Sequence, residues 1–287
     1  MSDQQPPERD AHSGYLTTGH EWNGITELNS PVPRAVWGFL TVTHVVALII
    51  VILLPAIPLW STYSKGLLGW DQHTAVNAAV AAAVQNRSDW TAQIASKPYA
   101  VVQADPALMD IVQSTGATLF GTNCAACHGT GGVGGPGFPN LADADWLWGN
   151  APDTIAETLR VGINSAHPDS RIAQMLAFGH DDILSRAEVT ALVPHVIGLS
   201  VPGTVPDANA ATLFADNCAS CHGADAKGLK DVGAPNLADD IWLYGGDAAA
   251  VRETLWSGRQ GQMPAWEARL TDVDRKILTL YVLELGR

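Results

Sequence analysis

The chain is short of cations, cysteine and methionine, and each shortage excludes something. Its 287 residues hold 16 Lys and Arg against 29 Asp and Glu, for a net charge of −13. With so acidic a balance nucleic acid is not expected as a partner, whereas a basic protein is. The four cysteines all fall in two copies of one motif, so none is left over as a lone thiol. The N-terminal region lacks a signal-peptide layout, because its apolar run starts late and no small-residue cleavage site follows it. Charge is absent altogether from Ala35 to Trp60, a run longer than the roughly 20 residues that cross a bilayer core.

The motif is Cys124-Ala125-Ala126-Cys127-His128, which returns as Cys218-Ala219-Ser220-Cys221-His222. Cys-x-x-Cys-His is the c-type haem attachment signature. Two thiols three positions apart can each form a thioether to one porphyrin, and the adjoining His then lies under the iron. A redox dithiol gives no reason for the His. Zinc would want a second ligand pair for each Cys pair, and two disulfides would need no histidines. The expected cofactors are two covalently attached haem c groups. Attachment of this kind takes place outside the bacterial cytoplasmic membrane, so the cysteines also report the compartment.

In chain order, residues 1–34 read as a polar, Pro-containing tail without a core. Residues 35–60 read as a transmembrane helix, with Trp37 and Trp60 near its ends and Pro55 and Pro58 near its exit. His44 within the span suggests a polar partner, most simply a hydrogen bond to an adjacent helix. Residues 61–113 form a connector with an Ala-rich helix over 74–84 and a break at Asp105-Pro106. Because the haem-bearing part must lie outside, the tail is cytoplasmic.

From about residue 114 the chain is duplicated. Ala117-Thr118-Leu119-Phe120 returns as Ala211-Thr212-Leu213-Phe214, Pro139-Asn140-Leu141 as Pro235-Asn236-Leu237, and Gln174-Met175 as Gln262-Met263. The first copy is about eight residues longer, within Asn164 to Ala173. The copies run over residues 114–201 and 202–287, with Pro202-Gly203 and Pro206 at the boundary. Each is helical with long loops, and a packed haem can supply the core so small a domain lacks.

Electron-transfer haem needs a sixth ligand. Met175 and Met263 stand at matching places after each motif, so the axial pairs are expected from His128, Met175, His222 and Met263. Met109 has no counterpart in the second copy, and His167 and His180 compete with Met175. The proximal histidines need an acceptor for the second ring nitrogen, expected from a backbone carbonyl near Pro139 and Pro235. Trp146, Trp148, Trp242 and Tyr244 are expected at the haem edges or in ordinary packing. Gly129-Thr130-Gly131-Gly132-Val133-Gly134 fits a dinucleotide fingerprint, but it follows a haem motif instead of a strand and runs into Pro136.

With these residues in view, the layout resembles the FixP/CcoP subunit of cbb3-type cytochrome c oxidase over nearly the whole chain. The pre-membrane stretch Gly19-His20-Glu21-Trp22-Asn23-Gly24-Ile25, with Glu27-Leu28-Asn29 and Pro31-Val32-Pro33-Arg34, is similar to that family's and has no obvious part in haem chemistry. Trp242-Leu243-Tyr244-Gly245-Gly246 adds to the likeness. Asn23 departs from the usual Asp, Leu176 from the usual Pro after Met175, and His195 from the Tyr that Tyr281 represents. The resemblance implies an all-α fold, one N-terminal transmembrane helix plus two tandem class I cytochrome c domains. It implies a single-pass protein of the bacterial inner membrane with its haem domains in the periplasm. It further implies that electrons come from a donor cytochrome c or the cytochrome bc1 complex. They would pass through two haems to the monohaem subunit and then to the catalytic, oxygen-reducing and proton-pumping subunit. No oxygen-reducing site is implied in this chain. Whether each Met serves its own domain's iron or its neighbour's stays open for a duplicated pair. A membrane-anchored dihaem carrier for another enzyme and a dihaem peroxidase are the competing readings, the latter requiring an open iron site.

Overall fold

A computed structural model describes residues 6–205 and 207–286, so the boundary residue Pro206 lies outside the described residues. The chain divides into two units, Met1–Asn86 and Arg87–Arg287.

In the first unit the tail holds a hairpin, so the fold is not strictly all-α. Strand β1 (Thr17–Trp22) pairs antiparallel with β2 (Ile25–Leu28), Trp22 opposite Ile25. Asn23 and Gly24 both take positive φ, 53° and 85°. Asn-Gly favours such a two-residue turn because its twist matches that of the strands. Trp22 Nε1 and Thr18 Oγ1 donate to the Glu27 carboxylate at 2.8 and 3.1 Å. Trp22 and Ile25 stay exposed, so the hairpin has no core of its own.

Helix α1 (Arg34–Leu53) has 20 residues, none buried, and at 1.5 Å per residue spans about 30 Å. It stops short of the expected Trp60. Leu54 precedes Pro55 and is extended, φ −112° and ψ 163°, as a clash with the following ring demands. The next residues form the short pair β3 (Pro58–Leu59) and β4 (Thr62–Tyr63). The chain then returns to donate Leu67 and Leu68 N–H groups to the Ile52 and Leu53 carbonyls, at 2.9 and 3.1 Å. Those carbonyls would otherwise be open at the helix end. Helix α2 (Gln72–Ser96) runs well past the expected residue 84 and ends where Lys97 precedes Pro98.

The second unit holds α3 (Tyr99–Gln103), α4 (Pro106–Asn123), α5 (Ala125–His128), α6 (Pro152–Val161) and α7 (Arg186–Gly198), then α8 (Ala208–Asn217), α9 (Ala219–His222), α10 (Ala248–Ser257) and α11 (Asp272–Glu284). Local signals start these helices. Asp105 caps α4 by accepting from the Ala107 and Leu108 N–H groups, with Pro106 at the first helical position. Ser185 and Glu188 form a reciprocal capping box on α7.

The copies do not close on themselves. Helix α11, from the second copy, packs on α4 and α6 of the first, while α7 of the first packs on α8 and α10 of the second. One core joins Phe120, Cys124, Ile155 and Leu159 to Trp266, Leu278 and Val282. The other joins Phe178, Val189, Leu192 and Val193 to Phe214, Cys218, Val251 and Leu255. A third joins Ile94, Val102, Leu108 and Val112 to Ile277 and Leu280 on another face of α11. Ile277, Leu278 and Leu280 are wholly buried, and each contributes about 1.5–3 kcal/mol by transfer from water. Matching ring pairs seal the two exchanged contacts: Phe120 with Tyr281 at 5.6 Å and Phe214 with His195 at 5.5 Å. His195 thus makes in the first copy the kind of ring contact that Tyr281 makes in the second.

Two strand-like crossings fix the exchange. Ile163 and Met263 trade both backbone hydrogen bonds at 2.9 Å, and Met175 and Arg259 do so at 2.8 and 3.1 Å. Each crossing follows a glycine with positive φ, Gly162 at 70° and Gly258 at 68°. A Cβ on Gly162 would collide with the Met263 carbonyl, and one on Gly258 with the Met175 carbonyl. Gly258→Ala should therefore cost about 1–3 kcal/mol, read as a lowered Tm of the detergent-solubilised protein. Gly135→Ala, at a glycine with open space around it, should stay within about 0.5 kcal/mol. Equal melting of the two variants would show that the crossing tolerates a side chain.

Candidate haem sites

Each motif is built at the junction of a long helix and a one-turn helix. Cys124 ends α4 and caps α5 with φ −116° and ψ −33°; Cys218 ends α8 and caps α9 with −115° and −34°. The His128 and His222 N–H groups return to the Cys124 and Cys218 carbonyls, both at 2.9 Å. One turn thus carries two thiols and an imidazole. In each pair the first thiol is buried and the second exposed. Burial, with a smaller push from the neighbouring thiol, raises Cys124 and Cys218 to about 11. Such thiols are protonated at neutral pH and are poor redox centres.

The proximal histidines are oriented as expected. His128 Nδ1 lies 3.0 Å from the Pro139 carbonyl and His222 Nδ1 lies 3.0 Å from the Pro235 carbonyl. A carbonyl can only accept, so Nδ1 carries the proton and the Nε2 lone pair is left for a metal. Burial lowers both imidazole pKa values, against a smaller opposing effect of the proline carbonyl hydrogen bond. Both rings are therefore neutral, the form that ligates.

The methionines are exchanged along with the helices. Met263 packs on the core that contains Cys124, and Met175 on the core that contains Cys218. The competing ligands are occupied elsewhere. His167 Nε2 lies 2.8 Å from a Glu267 carboxylate oxygen, and its Nδ1 accepts from the Asp169 N–H at 3.0 Å. His180 is exposed, with Nδ1 3.0 Å from Asp181. Met109 packs on the third core, away from both motifs. His44 Nδ1 lies 2.7 Å from the Leu40 carbonyl of its own helix. The glycine cluster 129–134 is a loop that closes back on α5, with the Gly134 N–H donating to the His128 carbonyl.

Trp146 and Trp242 pack on the two motif cores. Trp148 and Tyr244 each lie against the other copy's loop: a Cβ on Gly233 would fall on the Trp148 ring, and one on Gly137 would lie 3.4 Å from Tyr244. Arg171 stacks over Trp148 at 4.7 Å and Arg259 over Tyr244 at 4.6 Å. Sequence reading missed both arginines. The available signal was their matching place, each four residues before Met175 and Met263 in a repeated Arg-x-x-Gln-Met.

Covalent haem fits these residues. Each core holds one buried thiol and is packed by one thioether, while a second, exposed thiol and a neutral imidazole share the turn with the buried thiol. Among the described residues no cluster of three or more His, Cys, Asp or Glu could hold a bare metal ion.

Three family profiles match in tandem. Residues 14–61 match the N-terminal domain of cytochrome oxidase-cbb3, FixP; residues 113–200 match cytochrome c; residues 206–282 match cytochrome c oxidase, cbb3-type, subunit III. The chain is 45% identical over 284 residues to the cbb3-type cytochrome c oxidase subunit FixP of a Bradyrhizobium species, covering 97% of both chains. It is 42% identical to the subunit CcoP of Cereibacter sphaeroides, over 94% of both. It is 41% identical to the CcoP of an Azospirillum species, over 97% of both.

Proposed function

The chain belongs to the FixP/CcoP family, subunit III of the cbb3-type cytochrome c oxidases, and on that premise we propose that it relays electrons through two covalent haems whose axial methionines are exchanged between the repeats. In this reading Cys124, Cys127 and His128 act with Met263, and Cys218, Cys221 and His222 act with Met175. The observation that carries it is the reciprocal backbone pairing of Ile163 with Met263 and of Arg259 with Met175, which turns each Met toward the other motif's core. The bound haem supplies a one-electron ferric/ferrous couple. The chain's residues attach it, ligate it, keep water from it and set its potential. A thioether opposite a neutral imidazole favours ferrous iron. Two such pairs, if each held an iron, would leave no open site, which supports a carrier over a peroxidase.

The electron route runs from a donor cytochrome c or the bc1 complex through this subunit to the monohaem subunit and the catalytic subunit. Helix α1 anchors the chain in the inner membrane of a bacterium, with residues from 61 onward in the periplasm and the tail in the cytoplasm. Its length and its exposed, largely apolar surface support the anchoring; the orientation follows from haem attachment outside the cytoplasmic membrane. In intact spheroplasts an added protease should cleave the region beyond residue 61 and spare the tail; protection of that region would reverse the orientation.

The methionine exchange is tested in a chain with Cys124→Ala and Cys127→Ala, which should retain one covalent haem instead of two. In that background Met175→Ala should abolish the weak long-wavelength band of thioether-ligated ferric haem. It should also lower the midpoint potential by more than about 59 mV, a tenfold change in a one-electron equilibrium. Met263→Ala should leave both unchanged. The opposite pattern would restore each Met to its own repeat.

A further inference from the structure

The chain just beyond α1 turns its large apolar side chains outward. Trp60 is fully exposed, Leu67 is 80% and Leu68 63% exposed, and Ile57, Leu59 and Trp70 are exposed as well. Between Arg34 and Asp71 the only charged side chain is Lys65, so no ionic coat surrounds them. A surface meant for water rarely leaves so many large apolar groups together.

The segment is built, not loose. Strands β3 and β4 are joined by the two-residue turn Trp60-Ser61, and Trp60 takes φ 51°. A turn with positive φ at its first position ordinarily takes glycine there, and a bulky side chain in that conformation is strained. The base of the pair is tied by Ser64, whose N–H donates to the Ile57 carbonyl at 2.8 Å and whose Oγ accepts from the Ile57 N–H at 3.0 Å. Leu67 and Leu68 donate to the Ile52 and Leu53 carbonyls. Gly66 lies so close that a Cβ on it would collide with the Leu53 carbonyl. These contacts set Leu67 and Leu68 at the depth of the last turn of α1, where Ile50 and Ile52 are exposed too. A helix of about 30 Å only just crosses the hydrocarbon core, so its last turn lies where acyl chains meet headgroups.

We propose that residues 57–70 form a lipid-binding collar at the end of α1, which seats Trp60, Leu67, Leu68 and Trp70 in the acyl–headgroup boundary of the leaflet where the helix ends. The occupant of this surface is phospholipid, because the exposed side chains continue the apolar surface of α1 at the same depth. The chemistry of the set fits that boundary: indole rings with one polar edge, leucines for the acyl chains, and one lysine whose long stem lets its ammonium reach the phosphates. The polar groups of the segment are engaged elsewhere. The Tyr63 hydroxyl donates to Asp71, and Asp71 accepts from the Thr74 N–H at 2.8 Å at the start of α2. A span with no length to spare thereby gains a stop against sliding, and the strained turn at Trp60 is held because it delivers the ring to that boundary.

This inference rests on the reading that α1 crosses the bilayer, and two photoactivatable phospholipids test the two readings separately. One carries its diazirine at the end of the acyl chain, the other next to the headgroup. Both are used on the full haem-loaded chain in phosphatidylcholine–phosphatidylglycerol vesicles and on the assembled oxidase in membranes, with adducts located by peptide mass spectrometry. The acyl-end probe should label α1. The headgroup probe should label residues 57–70 in both preparations and spare the exposed stretch of α2 over residues 74–84. Trp60→Ser with Leu68→Ser should lower headgroup labelling of the segment roughly tenfold, with haem staining and acyl-end labelling of α1 unchanged. Trp60→Gly, which relaxes the turn but removes the ring, should also lower it. A segment left unlabelled while α1 is labelled would overturn the collar. So would labelling in vesicles that disappears in the assembled oxidase, which would give the surface to a neighbouring subunit. An α1 that the acyl-end probe never labels would instead overturn the membrane reading itself.

Discussion

The exchange of backbone hydrogen bonds at Gly162-Ile163 and Gly258-Arg259 is the constraint on which the rest of the second unit depends. At each crossing an extended residue of one copy pairs with the Met-bearing segment of the other. Only a glycine, free of a Cβ and tolerant of positive φ, lets the two backbones approach so closely. Once the segments cross, the helix after each of them must continue on the far side. Helix α11 is thereby delivered to α4 and α6, and α7 to α8 and α10. The apolar faces of α7 and α11 are buried only through this exchange, so neither repeat is a self-sufficient folding unit.

The exchange also sets the chemistry. Each Cys-x-x-Cys-His turn is assembled locally, while the methionine that packs on its core comes from the other repeat. The two sites are coupled further by Trp148 and Tyr244, each of which lies against the other copy's loop, and by the Gly137 N–H, which donates to the Leu243 carbonyl at 2.8 Å. Two motifs that share structural elements in this way are held at one separation, as the proposed relay requires.

The first unit obeys a different physical rule. Helix α1 exposes its apolar side chains on all sides, which is stable only in hydrocarbon. Its end is closed by the returning Leu67 and Leu68 N–H groups, so few backbone acceptors are left open where the chain leaves the bilayer. The hairpin before it is held by the conformation of Asn23-Gly24 and by Glu27, without a packed core.

The sequence by itself determined what depends on local chemistry. Cys-x-x-Cys-His needs only one turn of helix to present its three groups, and Pro139 and Pro235 stand close enough in the chain to serve as acceptors. The membrane helix was legible because an absence of charge over a long run has few other meanings, although Pro55 shortened it. The hairpin was signalled by Asn23-Gly24 but hidden in a polar tail. The choice between self-closed and exchanged repeats was settled by tertiary structure alone. Both copies carry the same apolar pattern, so α7 and α11 could pack on either partner, and Met175 and Met263 are equivalent in sequence. What distinguishes the two arrangements is the path of the chain through two glycines, a property of three-dimensional closure.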